Sequence, residues 1–209
     1  MSTQGTSEWL AERCGKVTAS RMGDLMARTK TGYGASRANY MAELIAERLT
    51  GEPAEKFTNA AMQWGHDKEP EARAAYEFLS GSDVVQVGFI PHPSVAMTGA
   101  SPDGLVGERG MLEIKCPSTA THIETLLSGS IDRRYILQMH WQMECCGRDW
   151  CDFVSFDPRL PLSMQVFMKR VDRDPALTAE MLSEVATFLK ELDEKVRALS
   201  DKFERREAA

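Results

Sequence analysis

Apolar residues recur three and four positions apart in ANYMAELIAERL (38–49), where Met41, Leu44, Ile45 and Leu49 share one face of a helix. Ser36 is placed to cap it, and Gly51 with Pro53 to close it. A shorter amphipathic helix is predicted over 18–28, opened by Thr18 or Ser20 and followed by the Gly-rich loop TKTGYG. Residues 58–79 are helical in pattern again. Pro70 is expected to break or kink them at Glu69, because a residue preceding proline avoids the α region. From Val84 the period shortens to two: VVQVGFI, SVAMTGASPDGLV and GMLEIKC predict a strand meander with turns at HP and GERG. Helical spacing returns in THIETLLSG and DRRYILQMHWQMECC, and WCDFVSF and LSMQVFMKRV predict two more strands. The last segment, a helix over about 175–205, repeats apolar residues at three and four and packs or pairs through one stripe. These elements predict an α/β (α+β) fold, a central mixed β-sheet flanked by helices. The 209 residues suit one domain, with no repeat or linker to divide them.

Composition narrows the class without changing that picture. With 43% apolar and 27% charged residues the chain is globular rather than disordered. No run approaches the roughly 20 apolar residues of a membrane span, and MSTQGTSEWLAERCG has no apolar leader, so a cytoplasmic protein without a membrane partner is expected. Five cysteines without a secreted scaffold's spacing predict reduced thiols; they also lack the pairing of an iron–sulfur or zinc site. A net charge of −6 argues against indiscriminate attraction to nucleic acid. A global sum hides local fields, however, and a carboxylate site for a metal itself adds negative charge.

The candidate chemistry lies in SPDGLVGERGMLEIKCP (101–117). Alternation along the last strand puts Glu113 and Lys115 on one face and Leu112, Ile114 and Cys116 on the other. The GERG turn folds this strand back on SPDGLV, which brings Asp103 to the same edge if the register permits. Two carboxylates so placed repel each other unless a divalent cation lies between them, and hard oxygen donors favour magnesium, with manganese as a substitute. The carbonyl of Ile114 is a natural further ligand, and Lys115 is placed to orient a nucleophilic water. An E-x-K triplet alone arises by chance roughly once per few hundred residues. The competing reading is a surface Glu–Lys pair, with Asp103 serving a Pro-Asp-Gly turn.

SPDGL followed by LEIKCP resembles the core of the phage lambda exonuclease and YqaJ-type viral recombinase nucleases, a branch of the PD-(D/E)xK superfamily. The resemblance extends, in family order, to RCGKVTAS (13–20), QWGHDKEPEAR (63–73), YILQ (135–138) and SFDPRL (155–160). It implies Asp103 and Glu113 as metal ligands, Lys115 as the catalytic lysine and Glu69 as a further active-site acid. The plain alternative for Glu69 is a helix carboxylate paired with Arg73 at i+4. Arg13 resembles the residue that grips the 5′-phosphate of the duplex end, a task suited to a planar, permanently charged guanidinium. Ser20 and Ser101 resemble hydroxyl donors of that pocket, Gln138 a polar residue on the helix after the metal site, and Met62 the apolar residue inserted at the separating duplex end. His66 and Pro70 depart from the family pattern beside Glu69, and His66 is either a DNA contact or a solvated helix residue.

The implied activity is a magnesium-dependent 5′-to-3′ exonuclease acting on double-stranded DNA ends and leaving 3′ single strands. The resemblance further implies a homotrimer ring around DNA and a single-strand annealing protein as partner. Arg13, Lys16, Arg21, Arg28, Lys30 and Arg37 form a locally cationic stretch that could face DNA. Two other readings stand beside this one: a structure-specific or restriction-type endonuclease on the same fold, and a DNA-end binding module that does not turn over.

Overall fold

Two strand segments define the centre of the molecule, and the computed structural model, which describes residues 2–54 and 59–207, places both where alternation put them. The strands are β1 Val17–Thr18, β2 Arg28–Thr29, β3 Gly32–Tyr33, β4 Val84–Val85, β5 Ile90–Pro91, β6 Thr98–Ala100, β7 Gly104–Val106, β8 Gly110–Lys115, β9 Trp150–Phe156 and β10 Val166–Asp172. The helices are α1 Ser7–Arg13, α2 Met22–Leu25, α3 Ala35–Thr50, α4 Ala60–Ser80, α5 Thr119–Ser128, α6 Arg133–Cys146 and α7 Pro175–Glu207. A five-stranded sheet runs in the order β10-β9-β8-β7-β4. Its β8–β9 pair is parallel and its other pairs antiparallel, so the sheet is mixed, as expected. A smaller sheet, β1-β6-β5, lies at the N-terminal side, and β2 and β3 form a separate hairpin.

Helices cover the five-stranded sheet on both faces. On one, Ala72 and Tyr76 of α4 pack on Leu112, Ile114, Val154 and Phe156. On the other, Met139 and Met143 of α6 pack on Met111, Cys151 and Phe153. The far side of α6 buries Leu137, Trp141 and Cys145 against α2 and α7. Because α6 is enclosed between sheet and outer helices, its Gln138, His140 and Gln142 side chains lie in the interior, where each needs a partner. The stripe on α7, Met181, Val185, Phe188, Leu189 and Leu192, closes this layer, and Phe188 stacks on Tyr40 with ring centroids 5.6 Å apart. Phe188→Ala is therefore expected to cost about 3–5 kcal/mol and lower the Tm by roughly 10 °C in thermal unfolding. A loss under about 1 kcal/mol would place α7 outside the core.

Several expectations are corrected. The 18–28 helix shrinks to a 3-10 turn at Ala19–Arg21 and the four residues of α2, because Val17 and Thr18 pair with Thr98 and Gly99 instead. The TKTGYG loop belongs to the β2–β3 hairpin. The cap of α3 is Gly34 rather than Ser36, which lies inside the helix; Gly51, at φ 72, ends it as expected. Pro70 does not break α4, which runs without interruption from Ala60 to Ser80, so Glu69 lies within the helix rather than at a junction. Proline removes only the bond to the carbonyl of His66, on an exposed turn where water can replace it. Thr58, the expected start of this helix, lies outside the described residues. The meander also fails beyond β7 and β8: the segments 84–90 and 94–106 each split, with one half in each sheet. Gly88 and Pro102 fall at these breaks, and a Cβ on Gly88 would sit 2.1 Å from the carbonyl oxygen of Ser2. Gly104 is no turn glycine but the first residue of β7, where a Cβ would meet a Val84 methyl at 2.1 Å.

Candidate active site

The register of β7 on β8 pairs Gly104 with Leu112; one step further along the same ladder, Asp103 faces Glu113. An oxygen of Asp103 (Oδ2) accepts the backbone N–H of Ile114 at 2.6 Å, which locks the carboxylate at the end of β7. The carbonyl of a strand residue points to the same edge as its N–H, so that of Ile114 faces the Asp103 side. Glu113 is fully buried. Its Oε1 accepts from Gln138 Nε2 at 2.6 Å and lies 2.5 Å from Lys115 Nζ, and its Oε2 accepts from Gln142 Nε2 at 2.7 Å. The two glutamines stand one turn apart on the enclosed helix α6. They reach down to the face of β8 that also carries Lys115, whose ammonium lies 4.9 Å from the Tyr135 ring centroid.

The electrostatics follow from this crowding. Burial and the charge of Glu113 push the carboxyl of Asp103 well above the usual carboxylate range, with Glu69 adding to the effect and the Ile114 N–H and Lys115 opposing it. Burial works against the charge of Lys115, but Glu113 and Asp103 outweigh it and raise its pKa, so the ammonium is held protonated. A protonated lysine donates hydrogen bonds and positive charge; it does not act as a base.

A cavity of about 160 Å3 opens on this cluster, and Arg13, Ser20, Ser101, Asp103, Glu113, Lys115 and Gln138 line it together. Arg13, the last residue of α1, stacks on Trp9 with its guanidinium carbon 3.8 Å from the ring centroid. The Trp9 indole N–H in turn donates to Ser101 Oγ at 2.9 Å. Among the described residues Arg13 has no carboxylate partner, and burial lowers its pKa to about 10. A larger cleft of about 830 Å3 shares Arg13, Thr18 and Ser20 and extends past Met62, Gln63 and His66 on α4. Met62 is 60% exposed on this cleft rather than packed in the core.

Two expected groupings do not form as drawn. Glu69 does not line the small cavity: it ion-pairs with Arg73 at i+4 and acts on Asp103 only through space. The same Arg73 donates to the carbonyl of Asp103 at 3.4 Å, so the pair sits directly behind that residue. Half of the cationic stretch is neutralised, because Arg21 pairs with Asp24 and Glu43, Arg28 with Glu184, and Arg37 with Glu191. Of the six, Arg13, Lys16 and Lys30 have no carboxylate partner among the described residues. Sequence reasoning passed over Trp9 and Gln142. Their signals were an aromatic four residues before Arg13 and a second glutamine at i+4 from Gln138.

The donors suit a hard divalent cation: two adjacent carboxylates and a strand carbonyl, all oxygen, with a charge repulsion that such an ion would relieve. Among the described residues no third His, Cys, Asp or Glu side chain converges with them into a cage. All five cysteines are free thiols, and no described helix is long and apolar enough to cross a membrane.

Residues 8–149 match the model of the YqaJ-like viral recombinase domain. No curated protein sequence matches. The chain is similar to LHK-Exo, an alkaline exonuclease from Laribacter hongkongensis, with 55% identity over 96% of this chain and 99% of that chain and a TM-score of 0.90. The structure of LHK-Exo in complex with dAMP gives the same identity, coverage and TM-score. A phage related exonuclease from Haemophilus somnus 129PT, 16% identical over 88% of this chain and 96% of that one, shares the fold with a TM-score of 0.71.

Proposed function

The chain belongs to the YqaJ-like viral recombinase domain family, and from that premise we propose that it is a 5′-to-3′ exonuclease that resects double-stranded DNA ends to 3′ single strands for recombination. The observation that carries the reading is the small cavity itself, where the Asp103–Glu113–Lys115 cluster meets an arginine without a carboxylate partner. Asp103, Glu113 and the carbonyl of Ile114 would hold magnesium, or manganese in its place. When bound, such an ion stabilises negative charge developing on a phosphate. Lys115 Nζ, kept protonated by its two acidic neighbours, donates to the attacking water and orients it. Gln138 steadies Glu113 from the cavity side. Glu69, through Arg73, supports Asp103 from behind.

Arg13 is the group we assign to the terminal 5′-phosphate. Its guanidinium is braced by Trp9 and has no carboxylate partner among the described residues, which leaves it for phosphate oxygens, with the Ser20 and Ser101 hydroxyls on the same cavity wall. Holding the phosphate there places the hydrolysed bond one nucleotide inward, which sets both direction and product size. The dAMP complex of LHK-Exo supports a mononucleotide product. Met62, exposed on the adjoining cleft, would wedge the end of the duplex. A single domain, assembly as a ring-shaped homotrimer, delivery of the 3′ strand to a single-strand annealing protein and action in the cytoplasm complete the proposal.

The test is digestion of linear and covalently closed circular duplexes with magnesium. Degradation of the linear substrate alone is expected. Nicking of the circle would favour an endonuclease, and no cleavage of either would favour a binding module. Arg13→Ala is expected to slow digestion of 5′-phosphorylated ends about 10-fold or more, the worth of a charged hydrogen bond at roughly 1.5–3 kcal/mol, and to erase the preference for them over 5′-hydroxyl ends. An unchanged preference would remove the anchoring role.

A further inference from the structure

We propose that Gln142 is a positioning residue for the hydrolytic site, fixing the orientation in which Glu113 meets the cation; this rests on the metal-dependent reading above. Gln142 is fully buried on α6, one turn beyond Gln138 and away from the cavity. Its Nε2 donates to Glu113 Oε2 at 2.7 Å, while its own Oε1 is buried without a hydrogen-bond partner among the described residues. An unpaired buried oxygen costs about 1–3 kcal/mol, so the side chain is not there for stability alone. Reversing the amide would set its oxygen against a carboxylate oxygen, so the charge of Glu113 dictates which end faces it.

The consequence is an asymmetric carboxylate. Oε2 is tied to the deep glutamine, and Oε1 is turned toward Lys115 and Gln138, both of which line the cavity. Oε1 is then the atom offered to a cation, and Gln142 is what keeps the carboxylate from rotating out of that pose. Gln138 touches the cavity and could meet substrate; Gln142 acts only through Glu113.

The experiment is calorimetric titration of the full chain with Mn2+, alongside thermal unfolding of the metal-free protein, for wild type, Gln142→Met and Asp103→Asn. Methionine has similar length and volume and carries no unpaired oxygen. Gln142→Met is expected to bind Mn2+ about 10–100-fold more weakly, the usual effect of removing a partner that orients a metal ligand, and to lower the metal-free Tm, because Glu113 Oε2 loses its donor. Wild-type affinity in Gln142→Met, whether or not its Tm falls, would overturn the proposal. Should that variant fail to fold, Gln142→Asn keeps the polarity but is one methylene too short to reach Glu113, and the same loss of affinity is expected. Asp103→Asn separates the two ideas: unchanged Mn2+ binding in that variant would overturn the site reading and this proposal with it. Lost binding there beside wild-type binding in Gln142→Met would overturn this proposal alone.

Discussion

Lys115→Ala is expected to lower the rate of phosphodiester hydrolysis by about 10²–10⁴-fold, the range for a positioned proton-transfer or charge-stabilising group. The reason is local. Lys115 Nζ lies 2.5 Å from Glu113 Oε1, on the cavity wall that also holds Asp103, and its acidic neighbours keep it charged. No other described ammonium or guanidinium on that wall is tied to Glu113; Arg13 is stacked on Trp9. The variant should also destabilise the metal-free protein, because Glu113 and Asp103 lose the cation that offsets their repulsion. Single-turnover hydrolysis of a linear duplex, read with the Tm, checks both halves. A rate within threefold of wild type would remove the lysine from the chemistry.

Asp103→Asn is expected to abolish turnover to a similar or greater extent, about 10³-fold or more, but with the opposite effect on stability. Asparagine retains an oxygen able to accept the Ile114 N–H, so the end of β7 stays in place. It removes a carboxylate whose pKa is raised by burial and by Glu113, and which therefore costs stability wherever it is ionised. The sign is fixed by linkage: a raised carboxylate pKa destabilises the fold increasingly as pH climbs from the unfolded value toward the folded one, and the loss persists above it. The metal-free variant should accordingly gain about 0.5–2 kcal/mol at neutral pH, the usual size of such relief at a functional site. Two variants that both lose activity while their melting temperatures move in opposite directions separate chemistry from folding damage. A fall in Tm for Asp103→Asn would contradict the repulsion invoked here.

The sequence carried the centre of this site because period-two alternation and a short hairpin are local signals. Gly110 and Val106 flank a tight turn, so the ladder that pairs Gly104 with Leu112 leaves few registers open, and Asp103 meets Glu113 with little help from the rest of the chain. The same locality explains β9, whose alternation matches its boundaries, and the stripe of α7. What escaped depends on distant partners. Arg28 and Arg37 meet Glu184 and Glu191 across more than a hundred intervening residues, so two members of a run of basic residues read as a DNA-facing surface are in fact paired with α7. The uninterrupted course of α4 through Pro70 reflects tertiary packing of Ala72 and Tyr76 overriding a local preference. Gln142 was passed over for a related reason: its i+4 spacing from Gln138 is a signal, but a glutamine in an amphipathic pattern reads as solvent-facing until α6 is seen to be enclosed on both sides.

The most direct measurement is the anomalous signal of manganese in crystals of the full chain grown with Mn2+. One peak is expected within about 2.0–2.3 Å of an Asp103 carboxylate oxygen, Glu113 Oε1 and the Ile114 carbonyl, with Lys115 Nζ turned toward the open side of the ion. An active preparation whose manganese lies elsewhere, with Asp103 and Glu113 still held by Ile114, Gln138 and Gln142 alone, would contradict the account.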